Sequence, residues 1–217
     1  MPKISVISVS IRPKGLTITQ KCLAEQTEQS FEWITELGIP QRGNDLSRAL
    51  NRALRRAKGK WVVMLQDYIR IPKNGLQRLL EVAGEKKLVC GSMGKTLDWK
   101  NIKWDWRYYW DLEHKGKPIE YYKWEGDWAI APLKAFKDVG GYNEEYDDFW
   151  SFDNVELAFR LNELGYTFWV QSDNKAIQYD HDKVFEHPFR KNYSPEFHDA
   201  NLQDMKMGIK PIKLNYL

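Results

Sequence analysis

Lys60-Trp-Val-Val-Met-Leu-Gln-Asp-Tyr-Ile-Arg-Ile-Pro72 is the stretch on which the reading of this chain turns. Five apolar residues, Trp61 to Leu65, run without a break and are too few for an ordinary helix, which predicts a strand buried on both faces. The polar triplet Gln66-Asp67-Tyr68 follows at once. In an open parallel α/β sheet the carboxyl ends of the strands line the ligand crevice, so a carboxylate just past a central strand is well placed for chemistry. Asp67 is that carboxylate, although its position alone fits a turn acid before the helix opened by Pro72-Lys73-Asn74 equally well.

Toward the N-terminus, Ile4 to Val9 alternates apolar residues with serines and reads as a first strand. Ser10 to Gly15, with Arg12 and Pro13, is the loop at its carboxyl end. A helix from about Leu16 to Gln26 and a strand from Phe31 to Glu36 complete a β-α-β start, the beginning of a parallel sheet. Asn44 or Asp45 can cap the next helix, where Leu46, Ala49, Leu50, Ala53, Leu54 and Ala57 make one apolar face before Gly59. Its other face carries Arg48, Arg52, Arg55 and Arg56. This is a solvated face or, for Arg48 or Arg52, a phosphate contact.

Toward the C-terminus the pattern predicts a helix over Lys73 to Ala83 and a fourth strand over Lys87 to Ser92. Residues 94 to 125 have no clean period and hold Trp99, Trp104, Trp106, Trp110 and Trp124. A long irregular segment of this kind is often a lid or binding loop, and its rings either stack on sugars or fill a core. Gly126 to Ala131 reads as a strand, and Pro132 to Val139 as a helix stopped by Gly140-Gly141. An acidic, aromatic loop from Tyr142 runs into a helix with Leu157, Leu161 and Leu164 on one face, closed by Gly165. Thr167 to Val170 and Lys175 to Tyr179 read as two last strands, before Asp180-His-Asp182 and a polar, proline-interrupted tail.

The 217 residues allow one sizeable core, and 42% hydrophobic with 29% charged residues is globular composition. A net charge of +3, from 33 basic and 30 acidic residues, argues against a dedicated nucleic-acid binder. Cys22 and Cys90 lie far apart without metal-type spacing and read as reduced core thiols. The short apolar run at the N-terminus suits a strand and falls below a membrane span, so a cytoplasmic protein is expected, with no transmembrane segment and room for peripheral membrane contact.

Five stretches, in order, resemble glycosyltransferase family 2. Ser5 to Val9 with Cys22-Leu-Ala-Glu-Gln-Thr27 and Phe31 to Ile34 are similar to its first strand, helix and second strand. Arg48 to Ala53 through Trp61 resembles its nucleotide-side helix. Leu65 to Pro72 stands where the family has its aspartate-rich metal motif. Phe136-Lys-Asp-Val-Gly-Gly-Tyr-Asn-Glu144 is similar to its acceptor-side double-glycine turn, and Asp153 to Leu161 with Leu164-Gly-Tyr166 to its catalytic-base helix. The resemblance implies a GT-A fold, α/β, with a Rossmann-like mixed central sheet flanked by helices. It implies a single domain over residues 1–182, with a nucleotide-sugar half at about 1–92 and an acceptor half at about 93–182. Residues 183–217 would form a C-terminal tail packed on the domain or extending it.

The activity so implied is hexosyltransferase-like: a sugar moves from a UDP- or GDP-type nucleoside-diphosphate sugar to the hydroxyl of a sugar or other acceptor, with inversion. Ser10, Arg12, Glu36, Arg48, Asn51, Gln66, Asp67 and Tyr68 would face the donor. Trp124, Asp127, Trp128 and Asn154 would face the acceptor, and Asp153 would be the base. Asp67 and His181 would hold a divalent cation, Mn or Mg, weakly or only together with the nucleotide. Two departures stand out. Gln66 and Tyr68 flank Asp67 where the family has aspartates, and the family's Glu-Asp pair appears as Asp153-Asn154. Two other readings stay open: a non-catalytic sugar or nucleotide-sugar binding module of the same fold, and an interaction domain using residues 99–124 as an aromatic docking surface.

Overall fold

The computed structural model describes residues 1–38, 45–107, 116–148, 152–180 and 194–217. It contains β1 (Ile4–Ser10), α1 (Pro13–Ala24), β2 (Phe31–Leu37), α2 (Leu46–Arg56), β3 (Trp61–Leu65), β4 (Ile69–Arg70), α3 (Gly75–Val82) and β5 (Lys87–Thr96). There follow β6 (Lys103–Trp104), β7 (Lys117–Ile119), β8 (Trp128–Pro132), α4 (Leu133–Val139), α5 (Asp153–Glu163), β9 (Thr167–Tyr179) and α6 (Pro195–Lys206). The strands form one mixed sheet in the order β2-β1-β3-β8-β5-β9-β4, with β6 beside β5 and β7 beside β9. β1 runs parallel to β2 and β3, whereas β8 is antiparallel to both β3 and β5.

Alternation along β1 sends Ile4 and Val6 into a core with α1 and α3, and Ile7 and Val9 into a second core with α2, α4 and α5. The second core receives Ala49, Leu50, Ala53 and Leu54, the apolar stripe expected of α2. β3 is buried from Val62 to Leu65, as expected of a central strand.

The structure's departures from the sequence reading include three in β5, β9 and the tail. β5 continues to Thr96 rather than ending at Ser92. The two last strands are one strand, β9, and Ser172-Asp-Asn174 between them is a bulge where the pairing to β5 shifts between Gly91 and Ser92. That bulge is held by Arg78 of α3, which donates to the Asp173 carbonyl, and by Asn174, which donates to the Gly75 carbonyl. The polar tail contains α6, which lays Leu202 and Met205 against Phe159 of α5. Residues 214–217 then return to the double-glycine turn: Leu214 N–H donates to the Val139 carbonyl and Tyr216 N–H to the Gly140 carbonyl.

Candidate active site

β1 and β3 end side by side, and their loops meet. Ser10 donates its hydroxyl to Asp67 Oδ2 at 2.5 Å and accepts the Arg12 backbone N–H at 2.8 Å. Arg12 Nε lies 4.0 Å from the same carboxylate oxygen. Tyr68 takes a left-handed backbone, φ +58°, which is costly without a glycine. Its ring lies between the Arg12 guanidinium carbon, 6.0 Å from the ring centre, and Tyr179 at 6.2 Å. Trp99, also left-handed, stacks on Tyr179 at 5.7 Å, and Arg70 lies 3.7 Å over Trp99. A ladder of rings with an arginine at each end therefore borders the Asp67 loop.

Glu36 reaches the same carboxyl edge but on the opposite face of the sheet. Ser10 points to the α1 side, and the alternate position, Val9 with its partner Glu36, points to α2. There Arg52 binds Glu36 Oε2 at 3.2 Å and Arg56 binds Oε1 at 2.7 Å. Arg12 and Asp67 thus come together, and Glu36 pairs with the arginine face of α2. Arg48 bridges Glu144 and Asp147, so this face is laced to acids. Asn51 requires a correction. It is fully buried, donates to the Tyr142 carbonyl and Glu144, and accepts the Tyr142 N–H, so it shapes the double-glycine turn. Gln66 is tied through its backbone, its N–H to the Asp127 carbonyl and its carbonyl to the Thr19 hydroxyl.

Beyond Tyr179 the sheet edge opens into a cavity of about 740 Å³, lined among others by Thr96, Trp104, Trp106, Arg107, Glu125 and Asp127. Trp106 is 73% exposed there. Arg107 forks onto Asp105 and also binds Glu125. Trp124 and Trp128 do not face this space, which corrects their reading as acceptor contacts. Both are core residues; Trp128 donates its indole N–H to the Asn174 carbonyl in the β9 bulge, and the missing side chain of Gly91 makes room for its ring. The rings that line the cavity are Trp104 and Trp106, which the sequence marks only as part of an aromatic cluster.

Behind the cavity wall stands the start of α5. Phe152 holds the N-cap position in a left-handed conformation, so Asp153 is the first helical residue rather than the cap. Its Oδ2 is buried without a hydrogen-bond partner. Burial raises its carboxyl to about 6; the N–H groups of Asp153 and Asn154 resist this, while Glu125 and Glu156 add to it. Asp127, on the cavity side, is raised well above its ordinary value by burial, then by Glu125 and Asp153. Asn154 accepts the Tyr142 hydroxyl at 3.3 Å and abuts Gly126. Glu156 and Arg160 form a fully buried ion pair whose guanidinium also takes the Val139 and Gly141 carbonyls, fixing the turn next to the helix.

A metal was expected at Asp67 and His181. His181 lies outside the described residues, and among those described no three His, Cys, Asp or Glu side chains gather as a metal site requires. A dication on Asp67 Oδ2 would also meet the Arg12 guanidinium, so the donor set described around Asp67 does not fit one.

No family model matches the chain. Succinoglycan biosynthesis protein ExoA of Rhizobium meliloti is 28% identical over 72 residues, which is 33% of this chain and 21% of that protein. The mannosyltransferase PcManGT of Pyrobaculum calidifontis, solved with GDP-Man and Mn2+, is 15% identical with a TM-score of 0.57 over 87% of this chain and 59% of its own. S. aureus TarS is 15% identical at a TM-score of 0.61, over 83% of this chain and 37% of its own. TarS 1-349 in complex with UDP gives 14% and 0.58, over 83% and 61%. The chain has the GT-A glycosyltransferase fold, and it spans about a fifth of ExoA and less than two thirds of these solved chains. No described helix is long and apolar enough to cross a membrane.

Proposed function

We propose that this chain is an inverting glycosyltransferase, with the donor nucleoside-diphosphate sugar at Ser10, Arg12, Asp67 and Tyr68 and the acceptor in the cavity beside Asp127. The observation that carries the reading is the state of Asp153. A carboxylate fixed at the start of a packed helix, with one oxygen buried and unpartnered and its carboxyl raised to about 6, suits a general base at neutral pH. Asp127, beside it, is also raised, by burial first and then by Glu125 and Asp153. In the reaction, the acceptor oxygen forms a bond to the anomeric carbon and its proton passes to the Asp153 carboxylate. The bond from that carbon to the diphosphate oxygen breaks, and its electron pair leaves with the nucleoside diphosphate.

The division into a nucleotide half and an acceptor half is part of this reading. So is a cytoplasmic setting. It is supported by Cys22 and Cys90, which belong to different core clusters and form no disulfide.

The test is release of nucleoside diphosphate from a panel of UDP- and GDP-sugars with hydroxyl acceptors. Asp153→Asn is expected to bind UDP or GDP as the parent does while lowering release by ~10²–10⁴. A variant that transfers near the parent rate moves the base to Asp127 or Asp148, or to no base. Asp147 is excluded from that role, since both its oxygens hold the N–H groups of Ser47 and Arg48. A parent that binds nucleotide yet releases nothing across the panel is the binding module instead.

A further inference from the structure

We infer that the Arg12 guanidinium, in place of a divalent cation, carries the positive charge that holds and activates the donor diphosphate; this rests on the donor-site reading above. Arg12 Nε is buried and has no hydrogen-bond acceptor among the described residues, since Asp67 Oδ2 at 4.0 Å is beyond bonding range. A buried guanidinium N–H without an acceptor is costly and rare in a folded chain, and it points to an acceptor supplied from outside. The other arginines near this edge are committed differently: Arg48, Arg52 and Arg56 each pair with Glu36, Asp45, Glu144 or Asp147.

The Arg12 position is built. Its backbone N–H is fixed by the Ser10 hydroxyl, which also orients Asp67, and Tyr68 is held beneath the guanidinium by the close approach of Gly15. A guanidinium presents a planar fork of donors that matches phosphate oxygens and stays charged at any working pH. As the bond to the anomeric carbon breaks, negative charge grows on the diphosphate, and a preplaced cation stabilises that charge without itself reorganising. The residues flanking Asp67 agree with this substitution. Gln66 and Tyr68 contribute no anionic oxygen, so Asp67 is the one carboxylate of its triplet.

The experiment is calorimetric titration of the full chain with UDP and with GDP, each in EDTA and in millimolar Mn2+, for the parent, Arg12→Lys and Arg12→Gln. Far-UV circular dichroism establishes that each variant is folded. The expected result is a parent affinity for one nucleotide that agrees within about twofold between EDTA and Mn2+, a loss of about tenfold or more in Arg12→Gln, and a smaller loss in Arg12→Lys. A parent affinity that rises tenfold or more with Mn2+ overturns the inference and leaves the donor site standing, with residues such as His181 supplying ligands. Unchanged affinity in folded Arg12→Gln also overturns it. No binding of either nucleotide in either condition removes both the inference and the donor-site reading. If Arg12→Gln does not fold, Arg12→Lys alone decides, because it keeps the charge and loses only the fork.

Discussion

At Asp153 stability and reactivity oppose each other. Its carboxyl is raised from 3.8 to about 6 by burial, so the folded state prefers the protonated acid. Stabilisation from this group is therefore complete below about pH 3.8 and is lost as pH rises through about 6. Asp153→Asn, which carries no charge at any pH, is expected to melt several degrees above the parent at pH 7.5 and no higher at pH 4, as followed by thermal denaturation. Transfer by the parent should rise with pH through about 6, the limb reporting the ionised base. A second residue-scale expectation concerns Gly15. A Cβ there would lie 2.3 Å from the Tyr68 ring, so Gly15→Ala must displace Tyr68, and nucleotide affinity should fall by more than tenfold while the melting temperature changes little. Asp67 and Asp153 were legible in the sequence because each follows or opens a strongly patterned element. Which tryptophans face the cavity was not legible. Trp128 is inside because of a carbonyl 46 residues away, at Asn174, and no local pattern carries that information.

The elements themselves followed from apolar periodicity, and their ends depended on distant partners. α2 was expected to be capped by Asn44 or Asp45. Asp45 stands at the N-cap but makes no capping bond, and Asp147, a hundred residues on, accepts the Ser47 N–H at 2.6 Å and the Arg48 N–H at 3.2 Å. Asp147→Ala should therefore cost about 1–2 kcal/mol in urea denaturation, a capping loss, although the residue is remote from the helix in sequence. The buried pair Glu156–Arg160 ties α5 to the double-glycine turn, and Arg160→Ala, which strands Glu156, is expected to cost about 3–5 kcal/mol by the same measurement. α6 escaped notice because its surroundings are polar. Its signal was nonetheless present: Ser194 accepts the Phe197 N–H and Pro195 occupies the first turn, a helix start readable as Ser-Pro-Glu.

For the molecule as a whole, apolar pattern gave a β-α-β start of a parallel sheet, and the GT-A topology was legible only through the resemblance of five ordered stretches to glycosyltransferase family 2. Sequence pattern gave no account of β4, a two-residue strand recruited by β9, or of the bulge that lets β9 stay continuous. Amide hydrogen exchange should show β1, β3, β5 and β8 as the slowest segments, since they are buried in the middle of the sheet, with residues 97–107 exchanging far faster.

The continuity of β5 and β9 also bears on redesign. The boundary expected between the nucleotide and acceptor halves, at 92/93, falls inside β5, and β9 pairs with that strand from Lys87 to Thr96. A chimera spliced at that boundary would sever paired backbone on both sides of the cut and should be recovered as insoluble protein. Grafts that leave the sheet whole and exchange only residues 97–107 are the route by which a new acceptor preference should be transplanted into this chain.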